Sequence, residues 1–150
     1  MDQLKKQIHQ TCLQQIAKRI QNLEKRIATI NESKASETKS SVGDKFETGR
    51  AMLQMDEEKM LTQLQFNRAT LGRLEQINLD EKSDQVKNGS LVKTEKGLYF
   101  VGIGLGKVMV DQTLCYCVSL QSPVGMALIG QKLGGKISIN QMEMTILDIY

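Results

Sequence analysis

The chain has 150 residues, 40% of them hydrophobic and 25% charged, with 20 Lys/Arg against 17 Asp/Glu and a net charge of +3. Such a composition excludes a disordered chain, leaves room for one domain or for a long helical element plus a small one, and gives too mild a charge to argue for nucleic acid. No apolar run approaches the roughly 18 residues of a spanning helix, and Met1–Gln10 is polar where a signal peptide would be apolar, so a cytoplasmic protein with no membrane partner is expected.

The totals hide an asymmetry. Residues 1–84 hold 27 of the 37 charges and 3 of the 12 glycines, while the last 66 residues hold the other 9 glycines and the single proline, Pro123. Two different materials are joined in one chain, which argues against a single uniform core.

In the first half, apolar residues fall at Leu4, Ile8, Cys12, Ile16, Ile20, Leu23, Ile27 and Ile30. These three- and four-residue spacings make one stripe on a helix of about 30 residues, near 45 Å long at ~1.5 Å per residue. A narrow stripe on a long helix requires a second helix against it. Asn31–Ser41 has no periodicity and is rich in Ser, Thr and Lys, so it reads as the turn. A second stripe follows at Phe46, Leu53, Met60, Leu64, Leu71 and Leu74, weakened by Glu57, Asn67 and Gly72. The expectation is an antiparallel coiled-coil hairpin over residues 1–80, with its tip at about 32–44.

Residues 81–88 read as a linker ending at the turn pair Asn88-Gly89. Short β-rich runs then fall at Ser90–Thr94, Leu98–Ile103, Val108–Val110, Leu114–Leu120, Lys136–Ile139 and Met142–Ile149, punctuated by glycines. Ser122 can cap a helix and Pro123 suits its first position, so one short helix is expected there. The fold class is therefore α+β: a helical hairpin, then a small antiparallel sheet domain over residues 89–150.

Cys12, Cys115 and Cys117, with His9, supply four potential zinc ligands. Their spacing fits no common zinc module and the pairs lie in different halves, so buried free thiols are the better reading. Gly102-Ile103-Gly104-Leu105-Gly106-Lys107 has glycines like a phosphate loop. No helix follows to present its N-terminus, and a glycine-rich β-turn is expected instead.

Within Ser119–Gly130, the order Ser-x-x-Ser-Pro, aliphatic, Gly, one free position, small residue, two aliphatics resembles the second signature of the GreA/GreB family of bacterial transcript-cleavage factors. Gly134 continues that signature, whereas Gly135 stands where the family has an acid. The closing strands, Lys136–Tyr150, are also similar. The resemblance covers most of the chain but is strong only at Ser119–Gly130. It implies an FKBP-like C-terminal domain that docks on RNA polymerase, with Ser122, Pro123, Val124 and Gly125 in the docking region. It implies that the hairpin tip enters the polymerase's secondary channel, where Lys39 and Lys45 would meet the polymerase or, indirectly, the 3′ end of the nascent RNA. No independent DNA binding is expected.

In cleaving members of the family two tip acids help hold a second Mg²⁺ at the polymerase active site. Hard carboxylate oxygens suit that ion. Keeping the helix length aligns Lys39 and Val42 with the acidic positions, which describes a non-cleaving relative. Aligning Gly43-Asp44-Lys45-Phe46-Glu47 instead places Asp44 and Glu47 there, at i, i+3 on one helix face. Helix capping by Ser41 and Asp44 accounts for the same residues without a metal. No stably bound cofactor is expected, only Mg²⁺ shared with the polymerase. The chain would be no enzyme by itself. A prolyl isomerase is disfavoured, because the second half offers only Tyr99, Phe100, Tyr116 and Tyr150 to line a pocket. A plain coiled-coil interaction protein remains the third reading.

Overall fold

The computed structural model describes the backbone of residues 1–38 and 43–150, and side chains outside residues 37–46. Its elements are α1 (Asp2–Thr38), α2 (Gly43–Glu75), β1 (Leu91–Thr94), β2 (Gly97–Val101), β3 (Gly106–Val110), β4 (Thr113–Val118), α3 (Pro123–Leu128), β5 (Lys136–Ile139) and β6 (Met142–Ile149). The class is α+β, with two long helices followed by a six-stranded sheet and one short helix.

Two compact units divide the chain. One is Gln15–Gly72; the other joins Met1–Gln14 to Arg73–Tyr150. The start of α1 and the end of α2 thus belong with the sheet, because Ile8, Cys12 and Leu74 are buried there.

The helical unit is built on the expected seam. Leu23, Met60 and Leu64 are buried together, with Ile20, Ile27 and Ile30 packed against them. The turn expected over Asn31–Ser41 is shorter than that, since α1 runs on to Thr38. Glu32, Lys34, Ala35 and Glu37 are good helix formers, and the seam beyond Ile30 continues in polar form. Lys34 pairs with Glu57 across the hairpin, both largely buried, and also donates to Gln54 Oε1 at 2.7 Å. Glu57 therefore does not simply weaken the seam. It is matched by a cation that the apolar pattern could not reveal.

In the other unit the strand order is β3-β4-β2-β1-β6-β5. All six strands lie where alternation and glycine punctuation place them. One feature differs from an all-antiparallel sheet: β2 and β4 pair in parallel, with Leu98 opposite Cys115 and Val101 opposite Val118. After β2 the chain skips one position before laying down β3, and the tight β3–β4 hairpin returns into the gap. Asp111-Gln112 and Asn140-Gln141 make the two-residue turns, with positive φ at both central positions as the twist of paired strands favours.

The polar stretch expected as a linker is packed rather than free. Val86 is buried in the sheet's main cluster beside Val92, Val101, Leu128, Ile137 and Ile146, and Gln85 bridges Lys132. Gly89 (φ +90°) must be glycine, because a Cβ there would come within 2.3 Å of Ile77.

Candidate functional site

The Ser119–Gly130 stretch folds as a closed turn leading into α3. Ser122 stands at the N-cap; its Oγ accepts from the Gly125 N–H at 3.0 Å and donates to the Ser119 carbonyl at 2.8 Å. Pro123 takes the first helical position, where its missing N–H costs nothing. Gly125 is buried against the turn, and a Cβ on it would lie 1.9 Å from the Ser119 carbonyl oxygen. Val124 packs on the core. Three of the four residues expected at the docking region are thus committed inward. What the turn presents outward is Pro123, Met126, Ile129 and, beyond the helix, Leu133, all exposed. The last three carried no signal in the sequence, because exposure of a Met or Leu after a capped turn is decided by the sheet beneath.

The tip residues divide differently. Lys39 lies outside the described residues. Asp44 and Lys45 lie on the first turn of α2, which opens at Gly43, and their side chains are outside the described set. Glu47 is exposed on the same helix, three residues after Asp44. Ser41, expected as the N-cap of α2, is outside the described residues. Two carboxylates at this spacing are hard oxygen donors suited to Mg²⁺, but two are too few to hold it alone. Among the described residues no group of three His, Cys, Asp or Glu could hold a metal ion.

The structure brings together Cys12 and Cys117, which the sequence left in separate halves. Their sulfurs are 3.5 Å apart and Cys115 is buried on the same strand face. His9 is spent on the fold: its Nε2 lies 2.8 Å from the Leu74 carbonyl, and its ring meets Phe100 edge-on at 6.3 Å. The hydrogen bonds of Cys115 and Cys12, with burial, push the Cys117 thiol up, while the bond to Cys117 lowers that of Cys115.

A cleft of about 640 Å³ lies beside Lys5, Leu79 and Tyr150. Lys5 is buried, and its Nζ donates to the Leu79 carbonyl at 2.9 Å. Burial lowers its pKa, opposed by Asp2. The carbonyl bond gives this lysine a structural task, pinning the chain that leaves α2. The aromatic rings are likewise structural: Phe100 is buried, Tyr99 stacks on Tyr116 at 5.3 Å, and Tyr150 donates to Asp148 at 2.7 Å.

No family model matches the chain, and no curated protein matches it. Among solved structures, that of the transcription factor Gfh1 is similar at 15% identity over 92% of each chain, with a TM-score of 0.39. Likeness at that level carries no functional weight. Among the described residues no helix is long and apolar enough to cross a membrane.

Proposed function

We propose that this protein is a regulator of transcription elongation that binds RNA polymerase in the cytoplasm. The sheet unit docks on the polymerase through the face around α3, and the hairpin tip reaches the secondary channel. One observation carries this reading: the stretch that resembles the GreA/GreB signature is a turn locked by Ser122 and Gly125 that leaves Pro123 and Met126 facing out. A turn held from within and apolar on the outside is suited to protein docking. The order of elements, helical hairpin before sheet, supports the same reading. Purified protein should co-elute with core RNA polymerase, and Met126→Asp should weaken that association while leaving the fold intact. Failure of the wild-type protein to bind core polymerase would reject the proposal.

A second role, stimulation of RNA cleavage, is favoured by the exposed Glu47 three residues after Asp44 on α2. When bound there, Mg²⁺ would activate water against the backtracked transcript. In this reading Asp44 and Glu47 supply two oxygen ligands and the polymerase supplies the rest, so the chain is no catalyst alone. Lys39 and Lys45 would contact the polymerase or the RNA 3′ end. Without the two acids' participation, the protein is a polymerase-binding regulator that does not cleave.

A further inference from the structure

The helical hairpin carries an unused second seam. On α1, Arg19, Asn22, Arg26 and Thr29 follow one another at the spacing of a seven-residue repeat, and all are exposed. On α2, Met52, Met55, Lys59, Thr62 and Phe66 do the same over about 21 Å at ~1.5 Å per residue. Two adjoining clefts lie between these helices and share Arg26. One, about 590 Å³, has Leu23 and Phe66 in its wall; the other, about 360 Å³, has Ile30, Met60 and Lys59. Phe66, in the wall of the larger cleft, is 66% exposed; Met52 and Met55, 63% and 69% exposed, continue its stripe of the helix beyond the clefts. Rows at heptad spacing on two neighbouring helices are what a third helix packs between.

The charges say which helix fits. Arg19, Arg26 and Lys59 face this groove with Asp56 as its one acid. Elsewhere on the hairpin Arg68 and Lys34 are matched, by Glu24 and Glu57, whereas Lys18, Lys25 and Arg50 point to solvent outside both clefts. Among the described residues none of Arg19, Arg26 and Lys59 is in an ion pair. Unmatched cations bordering an apolar strip call for carboxylates on the flanks of the occupant. A second copy of this hairpin would bring its own cations against these. Nucleic acid would have to cover Met52 and Met55, with Phe66 the only ring among the rows to stack on.

We propose that this groove docks one amphipathic helix of a partner protein, apolar on its buried face and acidic on both flanks. The inference uses only the hairpin and stands apart from the polymerase reading, so either can fail alone. The probe is a synthetic helix of about three heptads with Leu at the seam positions and Glu at the flanking ones. Its twin carries Lys in place of Glu. Fluorescence anisotropy with the full chain should show the acidic peptide binding at least ~10-fold tighter than the twin. Raising salt from about 50 to about 300 mM should weaken it. Phe66→Glu and Arg26→Glu should each weaken it by ~10-fold or more with the helical circular dichroism unchanged. Should Phe66→Glu disturb the helices, Arg19→Glu gives the same reading from the other row. Equal binding of the two peptides, or binding of neither, would overturn the proposal. So would tighter binding of a single-stranded RNA oligonucleotide blocked by the same variants, or a dimer that Phe66→Glu dissolves.

Discussion

The sulfurs of Cys12 and Cys117 lie 3.5 Å apart although 105 positions separate them, so the first helix is fixed to the fourth strand by a contact neither half could make alone. Both thiols are buried and free, with Cys115 beside them. In the native protein alkylation at pH 8 should proceed on the order of 100-fold more slowly than in denaturant, where three thiols react, because reaction needs local opening. Cys12→Ser exchanges a well-packed sulfur for a smaller, more polar hydroxyl in a fully buried site and should cost about 1–3 kcal/mol in a denaturant titration. Rapid native labelling would show that the start of α1 is not held as described.

The turn before α3 gives the sharpest structural prediction. Gly125→Ala drives a Cβ into the Ser119 carbonyl and should cost about 3 kcal/mol, read as a fall in thermal midpoint. Ser122→Ala removes the cap and the hydrogen bond to the Ser119 carbonyl but adds no clash, and should cost about 1–2 kcal/mol. If the two variants were equally mild, the turn would not be locked from within, and the docking surface built on it would lose its support.

Lys34 and Glu57 test the polar end of the hairpin seam. Their side chains are 19% and 16% exposed, dry enough that removing one partner strands the other. Glu57→Ala should destabilise by about 1–2 kcal/mol. The double replacement Lys34→Leu with Glu57→Leu should recover that loss or exceed the wild type, since a part-buried ion pair is often replaced by apolar contact without cost. A double variant worse than either single one would show that the pair does more than fill the seam.

Lys5 gives a pH signature. Burial lowers its folded pKa below the ordinary 10.5, so between those two values the unfolded chain binds more protons than the folded one. Stability contributed at this position therefore rises with pH as the folded ammonium deprotonates, up to about pH 10.5. Relative to Lys5→Met, the wild type should gain stability from pH 8.5 to 10.5 in matched denaturant titrations. A flat difference would mean that Lys5 keeps its charge as readily folded as unfolded.

The stripes from Ile8 to Ile30 and from Leu53 to Leu74, and all six strands, are legible because period and glycine placement are local properties of the chain. What could not be read is what distant residues do to one another. Lys34 looked like part of a solvated turn because its partner Glu57 lies 23 residues away. Val86 sat in a polar stretch that read as a linker until the sheet covered it. The parallel β2–β4 pairing depends on which gap a hairpin fills, which alternation does not encode. Ser122 and Pro123 were readable as a helix start, but the exposure of Met126 and Leu133 beside them was not. For Asp44 and Glu47 the structure adds their place on α2 and the exposure of Glu47.

Cleavage is tested on a stalled, backtracked elongation complex. If the two acids deliver metal ligands, adding the protein should release short 3′ RNA fragments, and Asp44→Ala with Glu47→Ala should abolish release without abolishing binding. Unchanged release by the double variant would reject those roles, while no release by either protein would leave a regulator that binds without cleaving.

The central claim is that this protein binds RNA polymerase through its sheet unit. The most direct measurement is sedimentation of purified chain with core RNA polymerase at micromolar concentration, wild type beside Met126→Asp. The account predicts co-sedimentation of the wild type and a loss of at least ~10-fold in affinity for the variant. Wild-type protein that sediments alone at every concentration would contradict it.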